Sequence, residues 1–155
     1  MEIKLRERTR ETVVHYFTHT QTKEIRRFLP QKARTVEEAL VDYEKTLLPG
    51  AGSFGRSIYF NGSHVGDIWC YGIQKEDPNA MVSYCVFDKV ARGKGVATEA
   101  LGLFLLEIKK RFDIRTVGAF TFADNTASTG VLRKNGFALV ETFTENGRES
   151  AYFQL

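Results

Sequence analysis

Two glycines alternate with basic residues in the stretch VARGKGVATEAL, residues 90–101, and a helical pattern begins directly after them. A helix N-terminus leaves main-chain N–H groups without partners and carries the positive end of the helix dipole, so it suits an anion. Glycine lacks a Cβ and lets such a backbone approach a bulky phosphate closely. Arg92 and Lys94 add positive charge beside Gly93 and Gly95. The other reading is a plain strand-to-helix connection whose glycines serve only a tight turn, and the stretch alone favours neither. Among phosphate ligands, a Walker loop would need G-x-x-x-x-G-K-[ST], which the sequence lacks. A dinucleotide fingerprint fits poorly too. Gly93-Lys94-Gly95 supplies G-x-G, but Thr98 stands at the third glycine position. Asp113 precedes the next strand, whereas the ribose-binding acid of that fold ends one.

Composition narrows the classes further. The chain has 155 residues, 43% of them hydrophobic and 26% charged, which fits one globular domain over residues 1–155. A net charge of +3 suits an anionic ligand but is too weak to imply nucleic-acid binding. The sequence has no apolar run near the roughly 20 residues that cross a bilayer, and its charged start, MEIKLRERTRE, is unlike a signal peptide. A cytoplasmic protein without membrane contact is expected. Cys70 and Cys85 lie in apolar, strand-like segments and read as buried, reduced thiols. No His, Cys, Asp or Glu cluster has metal-ligand spacing, so no metal is expected. Arg26-Arg27 and Lys109-Lys110-Arg111 read as solvated helix faces, the latter in a last turn where cations favour the dipole.

Several elements must position the glycine loop. The first third reads as three helices. Val13, Val14 and Phe17 mark the first, and Ile25, Phe28 and Leu29 precede Pro30 in the second. The third opens on Thr35 with Glu38 in a capping-box spacing, carries Val36, Leu40, Tyr43 and Leu47 as an apolar stripe, and ends at Pro49-Gly50. SIYF and HVGDIWCYGI around the turn NGS form a hairpin. AMVSYCVF is apolar on both faces and reads as a covered central strand. A long helix follows over 96–112, then the strand TVGAFTF, a short helix over 126–135, and the hairpin FALVETF/SAYFQL around ENGR. This order predicts an α/β (α+β) domain with a mixed sheet and helices on its faces.

The pattern Arg92-x-x-Gly95-x-Ala97 between a central strand and a helix resembles the pyrophosphate signature of the GNAT superfamily of acetyl-CoA-dependent N-acetyltransferases. The longer run ARGKGVATEAL, then Asn125, Ser128, Gly136 and Phe137, resembles the ribosomal-protein N-terminal acetyltransferase branch. The similarity is clear over about residues 53–155, and EIRRFLP also looks like the branch. The resemblance implies a mainly antiparallel sheet with splayed central strands. It also implies acetyl-CoA as cosubstrate and direct attack by an amine, from a protein N-terminus or a small molecule, in a monomer or homodimer. Cofactor contacts are expected from Val86, Phe87, Arg92, Gly93, Lys94, Gly95, Val96, Ala97, Thr98, Asn125 and Ser128. A main-chain N–H of Val86 or Phe87, Val86 foremost, would hold the thioester oxygen.

The tyrosine that protonates the leaving thiolate in many relatives is replaced by Leu132, which leaves Ser128, one turn earlier, as the possible proton donor. Ser128 could equally satisfy first-turn N–H groups, and Asn125 could cap the helix as well as meet the pantetheine arm. Asp67, His64, Glu24, Tyr84 and Glu141 are conceivable general bases, and none is chosen. His64 reads as a solvated residue at a strand start, and Asp67 as a salt-bridged structural group on a face shared with Val65 and Trp69. A coenzyme A-binding or regulatory module without catalysis is the alternative, because the usual tyrosine is missing and the base is unassigned.

Overall fold

Three threonines start the N-terminal helices. The computed structural model describes residues 1–155. In it Thr9, Thr22 and Thr35 each accept the N–H three residues on, opening α1 (Arg10–His19), α2 (Lys23–Phe28) and α3 (Val36–Lys45). At Thr35 the expected capping box is only half formed. Glu38 accepts the N–H of Arg34 instead of that of Thr35 itself. The apolar stripe of α3 also stops early, because Leu47 lies beyond the helix and is exposed.

One sheet of seven strands carries these helices, in the order β1-β2-β3-β4-β5-β7-β6. The strands are β1 (Ile3–Glu7), β2 (Ser53–Phe60), β3 (Ser63–Tyr71), β4 (Asn79–Val86), β5 (Thr116–Phe122), β6 (Ala138–Glu145) and β7 (Arg148–Gln154). Two further helices complete the fold, α4 (Val96–Arg111) and α5 (Thr126–Lys134). Strand β1 was not foreseen, since only Ile3 and Leu5 alternate among charges and its partner strand lies 50 residues on in the sequence. Strand β4 is covered less than expected. Ala80 and Val82 are buried, whereas Tyr84, Cys85 and Val86 are half-buried.

That exposure has a topological cause. Every pairing in the sheet is antiparallel except β4 with β5, which is parallel and lasts only from Asn79↔Thr116 to Met81↔Gly118. Beyond Met81 the two strands part, and a cleft opens between them.

The apolar core lies under α4, whose Ala100, Leu101, Phe104 and Ile108 are fully buried with Ile58, Ile68, Cys70 and Val82. Complete burial of each large side chain contributes about 1.5–3 kcal/mol. Successive strand residues point to opposite faces, so Trp69 faces away from Ile68 and meets Tyr16 of α1 edge-on. Helices therefore cover both faces of this half of the sheet. No helix is long and apolar enough to cross a membrane.

A bulge interrupts the β2–β3 ladder. Ile58 pairs with Gly66 and Tyr59 with His64, so Val65 is an extra residue. It joins the core, while His64 and Asp67 are brought together in a 2.9 Å contact. Gly66 lets β3 approach β4, because a Cβ there would stand 2.3 Å from the Cys85 carbonyl oxygen and 2.9 Å from Val86 Cα. Both neighbours are backbone and cannot swing aside. Gly66→Ala is expected to lower stability by about 1–3 kcal/mol, read as a lower denaturant midpoint in equilibrium unfolding.

Candidate active site

Where β4 ends, the chain makes a short 3-10 turn, Lys89–Ala91, capped by the Asp88 carboxylate accepting Val90 N–H at 3.0 Å. Two glycines follow with φ of +74° at Gly93 and +78° at Gly95, a region that side-chain-bearing residues rarely enter. Gly95 is the N-cap of α4 and has no side chain to cap it. The first helical hydrogen bond runs from Glu99 N–H to Gly95 O at 3.1 Å. The six N–H groups from Gly93 to Thr98 donate to no protein acceptor. They form a row of donors at the positive end of the longest helix, beside the cleft between β4 and β5, and so meet the physical requirements of a phosphate cradle.

Arg92 and Lys94, expected beside the loop as mobile charge, are held in different places. Arg92 donates from Nε to the Val86 carbonyl at 3.2 Å and pairs through a terminal nitrogen with Glu24 at 2.7 Å. It thereby ties the end of β4 to α2. Lys94 points elsewhere, its Nζ 5.7 Å from the centre of the Phe60 ring. Of the two N–H groups considered for the thioester oxygen, that of Phe87 is bonded to Val65 O at 2.9 Å. Val86 remains the candidate donor.

The cleft has a volume of about 650 Å³ and runs from the glycine loop past Tyr84 and Val86 to α5. Gly93, Gly95, Val96, Ala97, Thr98, Asn125 and Ser128 all line it, with Ile25 and Phe28 of α2 on the far side. Asn125 caps α5 by accepting Ser128 N–H at 3.2 Å. The Ser128 hydroxyl is 3.0 Å from the Tyr84 hydroxyl, a contact in which either can donate, and the Tyr84 hydroxyl also lies 3.1 Å from Ser128 O as its other acceptor. Leu132 is completely buried and offers no polar group. Gly136, with φ of +87°, follows the end of α5 and places the buried Phe137 immediately before β6. Sequence reasoning missed Asn135, whose amide donates to Thr98 O at 3.1 Å and locks α5 against the first turn of α4. An asparagine at a helix end reads as a cap, which hid this longer reach.

The base candidates separate clearly. Glu24 is engaged by Arg92 and Lys89, and Glu141 is exposed on the edge strand β6. Burial pushes the Tyr84 hydroxyl up to about 12, so it acts as a donor at neutral pH. Asp67 is 2% exposed and pairs with Arg8 at 3.2 Å, as a salt-bridged group should. Its company differs from the simple alternation, because the bulge replaces Val65 with His64 as its neighbour. The expectation of a solvated His64 is overturned. Its side chain is 6% exposed and contacts Asp67 and His15, because the bulge turns it onto the face covered by α1.

A family model described as an acetyltransferase (GNAT) domain matches residues 2–138. No curated protein sequence matches the chain. Among solved structures, the RimL ribosomal L7/L12 α-N-protein acetyltransferase in complex with coenzyme A has a TM-score of 0.83 at 21% identity, covering 99% of this chain and 93% of that one. Aminoglycoside acetyltransferase AAC(6')-Ib in complex with coenzyme A has a TM-score of 0.81 at 15% identity, covering 99% and 94%. The microcin C7 self-immunity acetyltransferase MccE, in complex with acetyl-CoA and AMP, has a TM-score of 0.81 at 17% identity, covering 99% and 92%. These likenesses establish a common fold.

Titration offers a check on the burial of the cleft wall and of the core beneath α4. Burial raises the Cys85 thiol to about 11 and the Cys70 thiol to about 12, alongside Tyr84 at about 12. All three ionise more readily in the unfolded chain, so their contribution is full below their ordinary values, 9 for the thiols and 10 for tyrosine. It is lost as pH rises through about 11 to 12. Urea midpoints are expected to hold to about pH 9 and then fall steadily. At pH 8 both thiols should react with a thiol reagent far more slowly than in the unfolded protein.

Proposed function

The chain belongs to the GNAT acetyltransferase family, and on that premise we propose that it transfers the acetyl group of acetyl-CoA directly to a primary amine. The observation that carries this reading is the unpaired row of main-chain donors from Gly93 to Thr98 beside the parted strands β4 and β5. The donors suit a pyrophosphate, and the cleft leading from them suits a pantetheine arm with its thioester near Val86. Val86 N–H would hold the carbonyl oxygen as negative charge develops there. The Ser128 hydroxyl, itself bonded to Tyr84, would donate to the departing sulfur. A thiol is far more acidic than an alcohol, so its anion is a fair leaving group and needs only modest help.

The acceptor would enter between the N-terminal helices, α1 and α2, and the β6–β7 hairpin, which flank the thioester end of the cleft near Val86. Asp124 pairs with Arg27 of α2 at 3.3 Å and with Arg148 of β7 at 3.4 Å, joining the two walls. An α-amino group is easier to deprotonate than a lysine-like amine, by roughly two pKa units. A peptide N-terminus and a small polyamine or aminoglycoside are therefore the acceptors to compare.

Acetyl-CoA at about 100 times its Kd should add about 2.7 kcal/mol of stability and raise Tm by roughly 5–11 °C, with NADH and ATP as rivals that shift it less. Thiol release should then be measured with free-N-terminal peptides, spermidine and kanamycin. Acetyl-CoA binding without release on any amine would favour a non-catalytic coenzyme A-binding module. Gly95→Val is expected to weaken acetyl-CoA binding at least tenfold, by straining the left-handed cap. Ser128→Ala should lower kcat with little change in that affinity, and an equal loss of binding would remove its proposed role.

A further inference from the structure

All three histidines of the chain meet on the α1 face of the sheet beside the end of β4. His15 and His19 come from α1 and His64 from β3. Their rings surround Phe87, the residue after Val86, at centroid distances of 5.2, 5.4 and 5.3 Å. Two contacts string them into a chain ending on a buried carboxylate. His64 Nε2 is 2.9 Å from Asp67 Oδ1, and His64 Nδ1 is 2.9 Å from His15 Nδ1. The second oxygen of Asp67 lies 3.2 Å from Arg8 Nε. A nitrogen–nitrogen separation of 2.9 Å is a hydrogen bond with no space for an ion between, and no metal-binding group forms here.

The proton positions follow from the donor inventory. A carboxylate only accepts, so His64 must carry hydrogen on Nε2, which leaves its Nδ1 bare in the neutral ring. That bare nitrogen accepts from His15, so His15 carries hydrogen on Nδ1 and presents Nε2 with a free lone pair. We propose that His15 is the general base of the acetyl transfer, set in its tautomer by the positioning residues His64 and Asp67. The inference rests on the acetyltransferase reading above. His15 Nε2 takes one proton from the acceptor ammonium, directly or through one water. The freed nitrogen forms the N–C bond as the thioester C–S bond breaks. The nitrogen's second excess proton passes to the departing sulfur through Ser128 or water, and His15 returns its own to solvent. One proton is released overall.

The surroundings agree with a base that is neutral at pH 7. Burial first, then His19 and His64, lower His15 below its ordinary 6.5, against the opposing pull of Asp67 and Asp88. Tyr16 and Cys85 on the same face stay protonated through burial. Tyr59 stacks on His64 and is itself covered by Arg6.

The test uses the intact chain, acetyl-CoA and whichever amine of the panel above turns over fastest. Wild-type kcat/KM should rise through a value below pH 6.5 and then level. In His15→Ala, rate at pH 7 should fall about 100-fold or more. Its profile should then climb only with the acceptor's own pKa, about 8 for an α-amine and about 10.4 for a lysine-like one. Added imidazole should restore rate to that variant, and acetyl-CoA affinity should not move. Parallel pH profiles without imidazole rescue would overturn the proposal while leaving the acetyltransferase reading intact. Nitrogen-15 NMR of the wild-type imidazoles provides a readout that needs no turnover. Hydrogen on His15 Nδ1 and His64 Nε2 is expected, and hydrogen on His15 Nε2 instead would refute the relay even if no amine is acetylated.

Discussion

The parting of β4 from β5 is the constraint on which the rest of this molecule depends. Six strand pairs share the sheet, and only this one is parallel. A parallel neighbour requires a crossover, here through α4, so the glycine loop necessarily starts beside the seam. Three residue pairs hold the seam at one end, and none beyond Met81↔Gly118. The main chain of a buried sheet is normally consumed by its neighbours. An opened seam instead leaves backbone polar groups facing a cleft, where an amide-rich arm can satisfy them.

Keeping that seam open calls for ties elsewhere. Arg92 spans from the Val86 carbonyl to Glu24, and Arg148 spans from Asp124 to the Arg27 carbonyl, with its guanidinium 3.4 Å from the centre of the Phe122 ring. Both arginines fix α2 over the gap, from opposite sides. Exposed ion pairs contribute little alone, about 0–1 kcal/mol each. Here they set geometry more than stability, because α2 has six residues and one buried side chain, Ile25. A short helix with so small an apolar anchor depends on such contacts to hold its place.

Local signals made much of this architecture legible in the sequence. The Asn-Gly turns at 61–62 and 146–147 adopt the positive φ values that their hairpins demand. The extent of α4 follows from its apolar period and the glycines before it. The failures share one cause, that pairing between distant segments decided the outcome. Strand β1 exists because β2 accepts it. His64 is buried because one inserted residue, Val65, reverses the side-chain alternation, and a bulge has no fixed signature in a strand of mixed residues. Arg92 looked like a free cation until Glu24, far away in the chain, stood beside it. The row of free N–H groups was the most readable part of the site, because helix ends and glycine conformations are local properties.

The same bulge explains why a costly arrangement persists. A carboxylate 2% exposed would lose several kcal/mol of hydration if left alone. Arg8 lies within ion-pair distance of one oxygen, yet its Nε makes no well-aligned hydrogen bond, so charge rather than geometry links the two. The His64 hydrogen bond at the other oxygen is the directional one. Replacing Asp67 by an apolar residue would remove the burial cost, which makes pure stability a weak reason for its presence. Orientation is the stronger reason. A carboxylate that accepts from one ring nitrogen fixes which face of the next ring is basic, and the order cannot be inverted without leaving Asp67 unsatisfied. The fold thus spends an irregular strand and a buried charge on the direction of two imidazole rings, next to the strand end that borders the cleft.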